Sequence, residues 1–201
     1  MKKRLVILLH GVGSNGEDLA NLGTYWATGM PGLGVASPNA PFHFEHGAGW
    51  QWFSLTDITL ENRPERVVQA RDAFDAVINA TLARHQMQHQ LDHVILAGFS
   101  QGAIMALDAL VSGRWPVAGV VAFSGRLASP PPYNAVKDTP VLLIHGRADD
   151  VIPCAESETA AATLRELGIR VSSHFEPDTG HTISAQGAAD AAAFIASCLS
   201  E

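Results

Sequence analysis

Apolar positions in this chain come in short unbroken runs rather than in alternation with polar ones. Residues 5–9, 94–97, 117–123 and 141–144 are such runs, each bounded by turn-forming residues. A strand that lacks alternation is buried on both faces, as in a parallel sheet covered by helices. Weaker candidates of the same kind lie at 33–37 and 169–175. Between the runs the period changes to that of a helix. Ser14-x-x-Glu17 reads as a capping box, followed by Leu19, Leu22 and Trp26 on one face. A longer helix is predicted from about residue 64 to 85, with Val67, Ala70, Phe74, Val77, Ile78 and Leu82 as its apolar stripe. Arg66, Arg71, Asp72 and Asp75 fall largely outside that stripe. Another helix follows Ser100 and ends near Gly113. One more starts with Pro153 at its first position and stops at Gly168. The last begins after Thr182 and repeats Ala188, Ala192, Ile195 and Leu199. Strands and helices alternate in one block, without repeat or linker. The expectation is a single α/β domain over residues 1–201, its mainly parallel sheet flanked by helices.

Composition narrows the partners. At 201 residues and 47% apolar, the chain can bury one sizeable core. A net charge of -7 argues against a nucleic-acid partner and against a polybasic membrane patch. No apolar run is long enough to span a bilayer, so stable membrane insertion is not expected. Met1-Lys2-Lys3-Arg4 precedes only five apolar residues and no small-residue cleavage site, so this opening reads as a strand rather than a secretory signal. Cys154 and Cys198 form no spaced motif, which leaves a reduced, cytoplasmic setting as the expectation. Cys154, at a helix start but with no histidine partner in sequence, reads as packing. His43-x-x-His46 and the series His85, His89, His93 have spacings seen in metal sites. The first lies in an irregular stretch, and His93 begins a strand, so solvated histidines are the better reading and no metal is expected.

The chemistry starts at Gly98-Phe99-Ser100-Gln101-Gly102. This G-x-S-x-G lies between an apolar run and a helical pattern, the setting of a nucleophile elbow. Glycines two residues either side of Ser100 let strand and helix close around a strained serine. Ligands of open α/β sheets gather beyond the carboxyl ends of the strands. The run at 141–144 leads into His145-Gly146-Arg147-Ala148-Asp149-Asp150, which puts an acid on that rim. The last strand leads into Glu176-Pro177-Asp178-Thr179-Gly180-His181, which adds a histidine. Chain order is therefore Ser100, then Asp149 or Asp150, then His181, the order of α/β-hydrolases. His10-Gly11-Val12-Gly13-Ser14 after the first run supplies a loop whose main chain can approach a ligand. Backbone N–H groups at Val12 and Gln101 are the expected oxyanion donors. The spacing of that loop fits neither a P-loop nor a dinucleotide fingerprint, so a nucleotide is rejected.

With these residues in place the chain resembles the phospholipase/carboxylesterase family of small α/β-hydrolases, relatives of acyl-protein thioesterases. The matching pieces are Leu9-His10-Gly11-Val12-Gly13, Gln51-Trp52-Phe53-Ser54, Gly98-Phe99-Ser100-Gln101-Gly102-Ala103, Ser124-Gly125, His145-Gly146-x-x-Asp149-x-Val151-Ile152-Pro153 and Gly180-His181. The Trp52-Phe53 segment and the residues after Gln101 look closest to a bacterial esterase branch. The resemblance implies a minimal α/β-hydrolase fold that starts at the third strand of the full sheet. It also selects Asp149 over Asp150. The expected activity is hydrolysis of carboxylic esters with short or medium acyl groups through an acyl-enzyme on Ser100, without metal or cofactor. Thioesters and lysophospholipids are alternative substrates within the family, and an acyltransferase or perhydrolase could use the same site. A non-catalytic binding protein would ordinarily have lost one of the three side chains. The stretch from 38 to 66 is long for a loop and rich in aromatic residues, among which Trp52 and Phe53 are the expected substrate contacts. No large insertion follows the run at 117–123, so no large cap domain is expected.

Overall fold

In the computed structural model, which describes residues 2–200, six parallel strands form one sheet in the order β2-β1-β5-β6-β7-β8. They are β1 (Arg4–Leu9), β2 (Leu33–Ala36), β5 (Val94–Phe99), β6 (Gly119–Phe123), β7 (Val141–Gly146) and β8 (Val171–Glu176). The unbroken apolar runs form the four central strands because both sheet faces are covered. Along β1, Leu5, Ile7 and Leu9 join one core cluster while Val6 and Leu8 join the other. Edge strand β8 instead alternates half-buried and exposed residues, which explains its weaker pattern in the sequence.

Helices α1 (Ala20–Gly29) and α6 (Ala185–Leu199) cover one face. On the other lie α2 (Arg63–Gln69), α3 (Arg71–His85), α4 (Gln101–Val111) and α5 (Cys154–Glu166). Every residue of α4 is buried, which is why that segment is apolar almost all round. Among the described residues no helix is long and apolar enough to cross a membrane.

Several local expectations change. Ser14 does not cap the first helix. Asn15 does, accepting from the Asp18 N–H, and a short 3-10 turn precedes α1. Ser14 Oγ instead donates to the Asp18 carboxylate at 2.5 Å. The long helix breaks at Ala70, whose N–H is shared between the carbonyls of Arg66 and Val67 at 3.1 and 3.2 Å. Arg71 and Asp75, which fall largely outside the apolar stripe, are nonetheless engaged by partners within the fold. Arg71 grips the buried Asp108 of α4 at 2.9 and 2.8 Å. Asp75 receives Arg114, and Arg114 also reaches Asp108 at 3.0 Å. Pro153 is the N-cap of α5 rather than its first residue. The stretch at 38–66 contains a two-stranded hairpin, β3 (Phe42–His43) with β4 (Trp50–Gln51).

Candidate active site

The chain leaves β1 to one side for β2 and returns on the other side for β5. This reversal opens a crevice at the carboxyl ends of β1 and β5, the place where open α/β sheets bind ligands. The residue after β5 is Ser100. Its φ of 55° and ψ of -116° put it in a region that side chains other than glycine rarely adopt. Its N–H is held by the Phe123 carbonyl at 2.9 Å. The two flanking glycines are obligatory for packing: a Cβ on Gly98 would meet the Gly102 backbone, and one on Gly102 would meet the Leu9 carbonyl. Strand β1, strand β5 and helix α4 can close together only with hydrogens at both positions.

His181, on the loop after β8, brings Nε2 within 3.0 Å of Ser100 Oγ. Its Nδ1 lies 2.7 Å from Asp149 Oδ2. A carboxylate only accepts, so Nδ1 carries the proton and Nε2 is free to accept the serine hydroxyl. Phe99 packs its ring 4.9 Å from the imidazole. Asp149 is itself firmly held. Its Oδ1 accepts the N–H groups of Val151 and Ile152, both at 2.9 Å, and its Oδ2 also lies 3.2 Å from His145 Nε2. Burial alone would raise the carboxyl pKa. The His181 hydrogen bond and the Ile152 and Val151 amides outweigh it, leaving the group below its ordinary value. Asp150, the other acid considered, is exposed to solvent.

Val12 and Gln101 border the same cavity as Ser100. Among the described residues neither backbone N–H has a hydrogen-bond partner, so both are available to a developing negative charge. The loop bearing Val12 is clamped by β4: Gly13 N–H donates to the Trp50 carbonyl at 2.8 Å, and Trp50 N–H donates to the Ser14 carbonyl at 2.9 Å. From below, buried His10 accepts the Ala40 N–H at Nε2 (2.9 Å) and donates from Nδ1 to the Gly11 carbonyl (2.7 Å). Burial lowers its pKa, more than the Gly11 bond and Asp18 raise it. The Gln101 side chain accepts from Trp52 N–H at 2.6 Å and donates to the Phe53 carbonyl at 2.9 Å, tying the elbow to the hairpin segment. His145 donates from Nε2 to the Ile152 carbonyl at 2.7 Å and accepts from Ser157 at Nδ1. Sequence reasoning assigned no role to His10, to His145 or to the Gln101 side chain. A histidine inside an otherwise apolar strand end was the one available signal.

The two expected substrate contacts separate. Phe53 borders the cavity of about 190 Å³ that contains Ser100. Trp52 does not; it is 1% exposed, packs on His10 and Phe74, and donates its indole N–H to the His10 carbonyl at 2.9 Å. It supports the loop at residues 10–14 from beneath and borders, together with Phe53, a second cavity of about 570 Å³ on the hairpin side. His43 stacks on Trp50 with ring centres 4.3 Å apart, and His46 is 3.2 Å from Thr56. Among the described residues no group of three or more His, Cys, Asp or Glu side chains is placed to hold a metal ion. Cys154 is buried, and that burial raises its pKa, which disfavours a reactive thiolate.

A parallel sheet with a serine on a strained strand-to-helix turn, a histidine on it and an acid behind the histidine defines an α/β-hydrolase. Comparison with known proteins carries this further. The family model described as Phospholipase/Carboxylesterase matches residues 1–199, and the chain belongs to that family. The chain is 36% identical to Esterase YpfH of Escherichia coli (strain K12) over 183 residues, 90% of this chain and 77% of that protein. It is 29% identical to acyl-protein thioesterase 1 of Saccharomyces cerevisiae over 170 residues, 75% of this chain and 72% of the relative. Among solved structures, esterase PE8 superimposes with a TM-score of 0.89 at 38% identity, covering 98% of this chain and 93% of that one.

Proposed function

We propose that the protein hydrolyses carboxylic esters of short or medium acyl chain through an acyl-enzyme on Ser100. The observation that carries this is the continuous relay from Ser100 Oγ to His181 Nε2 (3.0 Å) and from His181 Nδ1 to Asp149 (2.7 Å). His181 takes the serine proton as Oγ bonds to the acyl carbon. The carbonyl electrons move onto oxygen, which the Val12 and Gln101 amides stabilise. As the tetrahedral species collapses, the bond to the leaving alcohol breaks and the His181 proton goes to that oxygen. Water, deprotonated by the same imidazole, then releases the acid and restores the serine. Asp149 holds the imidazole in the working tautomer and stabilises its cation. No step requires a metal or cofactor.

Cavity size supports the acyl preference. The cavity of about 190 Å³ beside Ser100 is small and walled mainly by apolar side chains, Phe53 among them, which suits a short acyl chain. A panel of ester and thioester substrates of increasing acyl length tests this, with turnover expected to peak among the shorter esters. Ser100→Ala should fold and lose turnover by roughly three orders of magnitude or more. If that variant hydrolyses the best ester as fast as the parent, the reading is wrong. A cytoplasmic location accords with Cys154 and Cys198 being unpaired, and cell fractionation checks it.

A further inference from the structure

The cavity around Ser100 is mainly apolar, walled by Phe53, Leu55, Ile58, Ile104 and Ile152, yet two arginines border it. Arg63 opens α2, and Arg126 follows the turn after β6. At that turn Ser124 has a φ of 52° and Gly125 abuts Ala103 of α4, so the chain bends tightly and leaves Arg126 beside the cavity. Elsewhere the arginine ion pairs use Arg71, Arg114 and Arg147. Among the described residues, Arg63 and Arg126 take part in none. The Nε of Arg126, like that of Arg4, is buried with no hydrogen-bond partner among the described residues. Burial first, and then the charge of Arg126, lower the pKa of Arg63; Glu156 only partly opposes them. Arg71 and Arg114, by contrast, are tied to the Asp108 carboxylate.

We propose that Arg63 and Arg126 form an anion-binding subsite that sets substrate preference. The favoured ester then carries an anionic group, carboxylate or phosphate, a few atoms from the scissile carbonyl. Two guanidiniums offer forked donors that match the oxygens of either group. The anion would relieve the mutual repulsion of the two cations. This inference rests on the catalytic reading of Ser100, because the cavity is shared.

Two matched substrate pairs test it and distinguish the source of the anion. Monomethyl adipate against methyl hexanoate places the carboxylate on the acyl side. Butyryl-glycerol 3-phosphate against butyryl-glycerol places a phosphate on the alcohol side. The parent should favour the anionic member of at least one pair by about tenfold or more in kcat/KM. That ratio should fall by about tenfold in Arg63→Met and in Arg126→Met, mainly through KM. Arg126→Lys should keep part of the preference and guards against a mere folding loss. Added salt should reduce the preference in the parent. Equal or higher rates for the neutral esters in both pairs would overturn the proposal, as would a ratio unmoved by both Met variants. Calorimetric binding of adipate and of glycerol 3-phosphate to parent and Met variants gives a readout without turnover. If no ester is cleaved, the Ser100 reading fails while calorimetry still decides the subsite. Saturable binding that the Met variants lose supports it, and no binding of either anion refutes it.

Discussion

At the scale of single residues, the histidines of this site divide by what each ring nitrogen meets. His181 has a carboxylate on one side and a hydroxyl on the other, an arrangement that can pass a proton. His10 has a carbonyl on one side and an amide N–H on the other, so only its neutral form satisfies both. Its pKa lies below the ordinary 6.5. Below that pH an unfolded chain binds a proton that the folded chain refuses, so stability falls as pH drops from 6.5 toward the lowered value. Asp149, whose carboxyl is depressed below 3.8, has the same sign in a more acid window and contributes a constant amount near neutrality. Replacing His10 with Gln should therefore lower the melting temperature at pH 7 yet flatten its decline between about pH 7 and 5. Parallel melting curves for parent and variant would contradict this. That Ser100, His181 and an acid after β7 would meet was readable from chain order and flanking turns, whereas the choice of Asp149 over Asp150 came from the family resemblance. That Trp52 lies outside the cavity of Ser100 was not legible, because an aromatic next to a site looks the same in sequence whether it lines the cavity or supports the loop beneath it.

At the scale of elements, apolar runs foretold the central strands because burial on both faces leaves no polar position to confuse the period. The β3-β4 hairpin was not foreseen: two-residue strands carry no period at all. Nor was the break at Ala70, since α2 and α3 keep one buried stripe through Val67, Ala70, Phe74, Ile78 and Leu82. The charges on α3 misled for a physical reason. Arg71 and Asp75 look like a solvated face until the buried Asp108 of α4 takes Arg71 and Arg114 links that aspartate to Asp75. Asp108 accepts from Arg71, Arg114 and Ser129, joining α3, α4 and the segment after β6 behind the elbow. Removing it strands the partly buried Arg71 guanidinium and takes from Arg114 one of its two carboxylate partners. Asp108→Ala should cost about 3 kcal/mol, or roughly 6–12 °C in melting temperature for a chain of this size. A loss below about 2 °C in thermal melts would show that the network adds little.

At the scale of the whole molecule, strand order does most of the positioning. Residues from the ends of β1, β5, β7 and β8 converge because parallel strands point their carboxyl ends one way, and the reversal between β1 and β5 opens the crevice. The pattern of apolar runs implied a parallel sheet, but not that Arg63 and Arg126 would border the cavity of Ser100. No local spacing links residues that meet only through topology. Catalysis at that convergence is most directly tested by peptide mapping after reaction with a fluorophosphonate, which captures an activated serine covalently. One phosphonyl adduct on Ser100 is the expected result, absent from Ser100→Ala and strongly slowed in His181→Ala. An unmodified Ser100 in active, folded protein, or labelling of either variant as fast as the parent, would contradict it.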